Sequence, residues 1–194
     1  MIDLVELQNF IENQLKTFLE NLSCACMIRK IESGINTPLV DELRQSHFFS
    51  HKVEKIYPMG QTREREWAEA RRIELLLERK FENQVDLDGH RLLSSISHTQ
   101  GSDPVVVGVG CLLSHWEDQK ILGLGVDVEQ RSRVIKSEVA TRFIQAQERD
   151  IDSNIDPLDF WVMKESAFKA TPQDLQLIVT EYKLTEWNTH LREG

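Results

Sequence analysis

The stretch GLGVDVEQRSR, residues 123–133, ends an apolar run with two carboxylates one residue apart, Asp127 and Glu129. Side chains alternate along a strand, so we predict a strand at residues 121–129 with an apolar face and a face of glycines and carboxylates. The predicted apolar face consists of Leu122, Leu124, Val126 and Val128. Carboxylates this close repel each other unless a cation or a proton intervenes. We therefore predict a cation site here, and Mg²⁺ suits a site of few oxygen ligands.

A second carboxylate-bearing segment lies downstream, in DFWVMKESAFKA. We predict a largely buried helix at residues 158–170, in which Glu165 and Lys169 share one face. As an ordinary helix pair these two residues would contribute only about 0.2–0.5 kcal/mol. Glu165 would also add a third carboxylate to the predicted cation site.

The rest of the C-terminal part carries weaker signals. Residues 105–113, VVVGVGCLL, form an apolar run that we pair with residues 121–129 as a hairpin, because only a short polar stretch separates them. We also predict a helix at residues 137–147 and a weak strand at residues 175–184. The inward positions of that helix are Val139, Phe143 and Ile144.

Residues 1–22 show the apolar periodicity of an amphipathic helix, not that of a signal peptide or membrane span, so we expect a cytoplasmic protein. Further predicted elements are a strand at 24–31, a turn and short helix at 36–45, a helix at 61–81 and a strand at 92–97.

The helix at residues 61–81 carries four arginines: Arg63, Arg65, Arg71 and Arg72. They form either a solvated face that pairs with neighbouring glutamates, which charge alone favours, or part of an anion site.

Two histidine-bearing stretches are candidate sites. In SISHTQG, a serine- and glycine-rich turn holds His98, which suits an oxyanion or phosphate site, although a lone histidine after a strand is usually structural. In HFFSH, helical spacing would let His47 and His51 share a metal, but we favour surface histidines because no third ligand is evident.

Composition limits the function classes. The chain has 194 residues, 40% of them hydrophobic, and a formal net charge of −9. The negative charge argues against general nucleic-acid binding, and any anionic ligand must meet a local basic patch. Three cysteines, with two of them in C-A-C, favour reduced thiols.

Three stretches together, SISHTQG, GVDVE and WVMKESAFKA, resemble the signature motifs of the 4′-phosphopantetheinyl transferase superfamily, specifically the larger, surfactin-type monomers. REREWAEAR also resembles the arginine-bearing helix of that family, so that the resemblance covers residues 67–170. It implies a holo-(acyl-carrier-protein) synthase type of enzyme. Such an enzyme transfers the phosphopantetheine arm of coenzyme A to a serine of an acyl or peptidyl carrier protein and releases adenosine 3′,5′-bisphosphate. The pathways implied are fatty acid, polyketide or nonribosomal peptide biosynthesis.

The resemblance also implies residue roles. Asp127, Glu129 and Glu165 would bind Mg²⁺, His98 would contact a coenzyme A phosphate, and Lys169 would neutralise the pyrophosphate. The further expected coenzyme A contacts are Arg71 at the nucleotide end, Arg65, and Arg91 in place of the lysine of a Gly-Lys-Pro-like family motif. Glu165 is in addition the candidate general base for the attacking serine.

The chain departs from the family pattern at Ala70, where glycine is common, and in ATPQDLQL, which lacks the usual glycines. A degenerate relative that binds coenzyme A or carrier protein without transfer is therefore the alternative, and another Mg²⁺-dependent phosphotransferase is a second rival.

The implied fold is α+β, with two similar halves, residues 1–100 and 101–194, related by a pseudo-twofold. Coenzyme A would bind in the cleft between the halves of a monomer. Carrier proteins of this kind are acidic around the modified serine, which calls for a basic docking surface. The candidate docking residues are Arg131, Arg133, Lys136 and Arg142.

Overall fold

The computed structural model describes residues 3–18, 22–32, 35–55, 60–99, 104–114, 121, 123–151 and 155–185. Within these residues it combines helices with one antiparallel sheet, which is compatible with the predicted α+β class. The helices are α1 (Leu4–Phe18), α2 (Thr37–Gln45), α3 (Gln61–Glu82), α4 (Ser137–Ala140) and α5 (Pro157–Ala170). The strands are β1 (Ser23–Lys30), β2 (His90–His98) and β3 (Val105–Ser114), and short 3₁₀ helices lie at Ser50–Lys55, Ala146–Asp150 and Val179–Glu181. No described helix has the length and apolar character needed to cross a bilayer.

The sheet has the order β1-β3-β2, and β3 pairs antiparallel with both neighbours. On one face, Ala25 and Val106 pack against Ile73, Leu77 and Phe81 of α3. On the other face, Cys26, Val107 and Val109 pack against α1 and the segment 123–128. The alternation of side chains along the strands thus builds a core on each side of the sheet.

The predicted strand at residues 121–129 is wrong for the described part of that segment, which belongs to no strand of the sheet. Serine side chains hold it beside β2 instead: Ser95 Oγ accepts a hydrogen bond from Val126 N at 2.9 Å, and Ser97 Oγ accepts one from Val128 N at 3.2 Å. The predicted hairpin with residues 105–113 is also wrong, because β3 uses both of its edges for β1 and β2.

The predicted faces of the same segment are nevertheless confirmed. Leu124, Val126 and Val128 pack into the core, whereas Leu122 lies outside the described residues. Asp127 and Glu129 line a cleft on the opposite side.

Two further predictions fail in the C-terminal part. The helix predicted at 137–147 stops at Ala140, so Phe143 and Ile144 are buried as expected but Val139 is 43% exposed. The strand predicted at 175–184 is irregular apart from one 3₁₀ turn. One backbone N–H in each of these two ranges donates to the side chain of Glu148, from Gln145 and from Leu184.

Candidate active site

A cleft of about 640 Å³ lies where the end of β2, the segment after residue 126 and α5 meet. It contains five residues that the sequence predicts for the site, His98, Asp127, Glu129, Glu165 and Lys169. Its other lining residues are Ser97, Gln130, Ser132, Arg133 and Trp161. The structure therefore brings together residues from all three motifs, and their individual roles stay predictions.

Two glycines allow the segment to approach α5 this closely. A Cβ atom on Gly123 would lie 1.8 Å from Ala170 O, and one on Gly125 would lie 1.9 Å from Ser166 O. Backbone therefore packs directly on backbone, which only glycine permits. This contact places Asp127 beside the helix that carries Glu165 and Lys169.

Asp127 is the centre of a small hydrogen-bond network. Its Oδ1 accepts hydrogen bonds from Ser97 Oγ at 2.7 Å and from Lys169 Nζ at 2.6 Å, and Lys169 Nζ also donates to Ser97 Oγ at 3.1 Å. Its Oδ2 is buried and has no hydrogen-bond partner in the described part of the chain. An unpartnered buried carboxylate oxygen is costly, and a bound cation would remove that cost.

Burial raises the pKa of Glu165, the nearby charge of Asp127 raises it further, and Lys169 and Arg133 only partly oppose this. Both causes disfavour a second negative charge in the cleft. A divalent cation between Asp127 and Glu165 would reverse this effect, because it stabilises both carboxylates.

Glu129 is ion-paired with Arg133. The described residues contain no group of three or more acidic, histidine or cysteine side chains that could hold a metal ion in this arrangement. The donor set is still of the right kind, because it consists of oxygen ligands and includes the unpartnered Asp127 Oδ2. Glu129 would have to leave Arg133 to complete the set.

His98 is 39% exposed at its side chain, and its Nε2 lies 3.4 Å from Glu66 Oε1 on α3. Glu66 was not predicted as a neighbour of the site, because charge pattern alone pairs the glutamates of this helix with its arginines. Ser97 and Trp161 were missed as well. Ser97 stands next to His98 in SISHTQG, and this adjacency is the signal that could have indicated it.

The arginines predicted to bind coenzyme A do not line the cleft. Arg71 Nε lies 2.9 Å from Glu74 Oε2, and the guanidinium stacks over Trp67 at 5.8 Å from the ring centroid. Arg65 and Arg91 are exposed on α3 and β2. The ion pairs of Arg71 and of Arg72 with nearby glutamates are of the kind that charge alone predicts for this helix.

His47 and His51 are both exposed, and neither belongs to a metal-ligating group in the described ranges. The structure therefore gives no support to a metal site shared by His47 and His51.

Comparison with known proteins gives one match. Residues 123–190 match the family model ACPS, described as the 4′-phosphopantetheinyl transferase superfamily. Searches of curated proteins and of solved structures find no match. The matched range is about a third of the chain; it includes Asp127, Glu129, Glu165 and Lys169 but not His98, and over this range it agrees with the resemblance at the level of the superfamily. The match therefore supports a phosphopantetheinyl transferase function in general.

Proposed function

We propose that this protein transfers the 4′-phosphopantetheine moiety of coenzyme A to a serine hydroxyl of an acyl or peptidyl carrier protein. The reaction depends on Mg²⁺ and releases adenosine 3′,5′-bisphosphate. The observation that carries this proposal is the convergence of Asp127, Glu165 and Lys169 with His98 in one cleft. The superfamily match over residues 123–190 supports the same reaction class.

Asp127, Glu129 and Glu165 are the residues that would hold Mg²⁺. The ion would offset the charge of the coenzyme A pyrophosphate.

Lys169 and His98 act on the same pyrophosphate. Phosphoryl transfer depends mainly on positioning and on stabilisation of charge at the phosphate oxygens. The ammonium of Lys169 reaches into the cleft from α5, and the imidazole of His98 reaches it from the end of β2. These two groups bind the phosphate oxygens from two sides and orient the phosphorus toward the incoming serine.

Glu165 takes the proton of the attacking serine. The serine oxygen forms a bond to the phosphorus next to the pantetheine, while that phosphorus loses its bond to the oxygen of adenosine 3′,5′-bisphosphate. Glu165 lines the cleft beside Lys169 and Asp127, so its carboxylate is placed to accept this proton.

Arg71 is assigned to the nucleotide end of coenzyme A, and Arg65 and Arg91 to further contacts with coenzyme A. All three lie outside the lining of the cleft. We also propose the division into halves of residues 1–100 and 101–194 with a pseudo-twofold, a monomeric state, and a cytoplasmic location.

The docking surface for the acidic carrier protein is assigned to the exposed cations Arg131, Arg133, Lys136 and Arg142. Val134, which is 86% exposed, adds an apolar contact to this surface. Such a local basic surface is required because the protein as a whole carries a formal charge of −9.

The test is intact-mass spectrometry of apo carrier proteins after incubation with the protein, coenzyme A and Mg²⁺. We expect a gain of one phosphopantetheine arm that needs Mg²⁺ and is lost in Glu165→Ala. Glu138→Ala, which removes an exposed carboxylate on α4, is the matched control and should keep activity. Coenzyme A binding without transfer to any carrier type would contradict the proposal and support a degenerate binding protein.

A further inference from the structure

We propose that Ser97 is a positioning residue that fixes Asp127 and Lys169 relative to each other and thereby forms the cation site. This inference rests on the proposed function. Ser97 is only 4% exposed, and it lies at the meeting point of β2, the segment after residue 126 and α5.

The hydroxyl of Ser97 uses its full hydrogen-bonding capacity. It donates to Asp127 Oδ1 at 2.7 Å, and it accepts from Val128 N at 3.2 Å and from Lys169 Nζ at 3.1 Å. A serine hydroxyl has one donor and two acceptor sites, so each site is occupied. One small group therefore fixes a carboxylate, an ammonium and a backbone segment at once.

This arrangement determines which oxygen of Asp127 is available. Ser97 and Lys169 both bind Oδ1, so Oδ2 is left without a hydrogen-bond partner in the described residues. Without the Ser97 hydroxyl, Lys169 alone would hold the carboxylate, and the carboxylate could rotate to give both oxygens to the ammonium. Such a bidentate pair would compete directly with a cation.

Ser95 provides an internal comparison. It lies two residues earlier on β2, is also buried, and its Oγ accepts a hydrogen bond from Val126 N at 2.9 Å. Ser95 thus shares the role of holding the segment against β2. It does not line the cleft, and among the described residues the hydrogen bonds of Asp127 Oδ1 and Lys169 Nζ go to Ser97 and to each other, not to Ser95.

The experiment compares Ser97→Ala with Ser95→Ala in the full chain. Mn²⁺ is the probe, and its dissociation constant is measured by calorimetry without coenzyme A or carrier protein. Mutation of a residue that hydrogen-bonds to a metal ligand and orients it typically lowers metal affinity by about 10–100-fold. We expect Mn²⁺ affinity to fall at least about tenfold in S97A and to stay within about twofold of the wild type in S95A.

Two further variants separate positioning from general damage. Ser97→Thr keeps the hydroxyl and should retain most of the affinity, whereas Ser97→Cys keeps the volume with a weaker donor and should lose affinity as S97A does. The thiol variant also serves if S97A does not fold.

The inference would be overturned if S97A or S97C bound Mn²⁺ with wild-type affinity. It would also be overturned if S95A lost as much Mn²⁺ affinity as S97A. If the wild type transfers phosphopantetheine and binds Mn²⁺ while S97A does both equally well, only the inference fails. A wild type that neither binds Mn²⁺ nor modifies carriers would overturn both the inference and the proposed function.

Discussion

Lys164 Nζ lies 2.8 Å from Glu148 Oε1 and 2.9 Å from Glu148 Oε2, and both residues are buried, with 3% and 1% of their surface exposed. Lys164 also donates to Tyr182 O, and Glu148 accepts from Gln145 N and Leu184 N. This ion pair therefore links α5 to residues 182–184 through hydrogen bonds to Tyr182 O and from Leu184 N. Lys164 directly precedes Glu165, so the pair also fixes the rotation of the helix that lines the cleft.

Lys164→Met should destabilise the protein strongly. Removing one partner of a buried ion pair leaves an uncompensated charge, at a cost of about 3–5 kcal/mol. Lys183→Met removes an exposed lysine from the same region and should change stability by less than about 0.5 kcal/mol. Urea denaturation of both variants measures the difference. Equal stability of the two would show that the buried pair contributes little.

Stability should also depend on pH through Glu148. Burial by itself raises the pKa of Glu148, but hydrogen bonds from Lys164 and from backbone N–H groups outweigh burial and hold it below its ordinary value of 4.5. A lowered pKa in the folded state means that this stabilisation is present above about pH 4.5 and is lost as pH falls through the folded-state pKa. The stability difference between the wild type and Glu148→Gln should therefore shrink below pH 4.5. A urea-midpoint difference that stays constant from pH 7 to pH 3 would contradict this.

Much of the fold follows from local sequence pattern. The periodicity of α3 predicts its range to within one residue, and Ile73, Leu77 and Phe81 are buried as expected. The helix predicted at residues 1–22 is confirmed at Leu4–Phe18, and the strands β1, β2 and β3 are likewise confirmed. These elements were predictable because each has its own apolar period and buries that face against the sheet.

The failures share a different cause. Residues 123–129 alternate like a strand, but serine side chains bind their backbone where a strand neighbour was expected. The helix predicted at 137–147 ends at Ala140, and the strand predicted at 175–184 holds only a 3₁₀ turn. In each range one backbone N–H, that of Gln145 or Leu184, donates to Glu148. Contacts between distant side chains and backbone leave no local period, so a single sequence does not reveal them.

Five residues predicted for the site line the cleft, whereas the predicted Arg65, Arg71 and Arg91 do not. Asp127, Glu165, Lys169 and His98 meet in one cleft as the motifs imply, whereas the ion pairs of Glu129 with Arg133 and of His98 with Glu66 were not predicted. The Glu66 contact joins two elements that are separate in sequence, and only the three-dimensional fold brings them together.

Gly125→Ala should damage the site and lower stability together. The added Cβ would lie 1.9 Å from Ser166 O and would push the segment carrying Asp127 away from α5. Overpacking of this kind costs about 1–3 kcal/mol. Gly60→Ala is the matched control, because its Cβ would meet no atom within 4 Å. The midpoint temperature of thermal denaturation and the rate of carrier modification should both fall in G125A and stay unchanged in G60A. A G125A variant with wild-type stability and activity would exclude close packing as the role of this glycine.

The thiols should be almost unreactive in the folded protein. All three cysteines are free and buried, and burial raises the pKa of Cys26 to about 12, with a further contribution from Glu12. A hydrogen bond between Cys24 and Cys111 raises the pKa of Cys111 and lowers that of Cys24. Because the thiolate is the reactive form, iodoacetamide at pH 8 should label Cys24 first and the other two only in denaturant. Mass mapping of the labelled peptides measures the order, and rapid labelling of Cys26 in the native protein would contradict it.

Carrier recognition can be tested apart from the cleft. Arg133 lines the cleft and pairs with Glu129, so it is left unchanged, and the double reversal Lys136→Glu with Arg142→Glu alters only exposed cations outside the lining. Like charges across an interface slow association, and we expect kcat/KM for an acidic carrier to fall about tenfold while coenzyme A affinity stays within about twofold.

The control reverses Arg44 and Arg79, two exposed cations on α2 and α3, and so makes the same change in net charge elsewhere. Salt screens electrostatic attraction between exposed charges. The difference in kcat/KM between the two double variants should therefore narrow as ionic strength rises. If both double variants lose carrier activity equally at every salt concentration, net charge rather than this surface governs recognition. If neither loses activity, the carrier docks elsewhere.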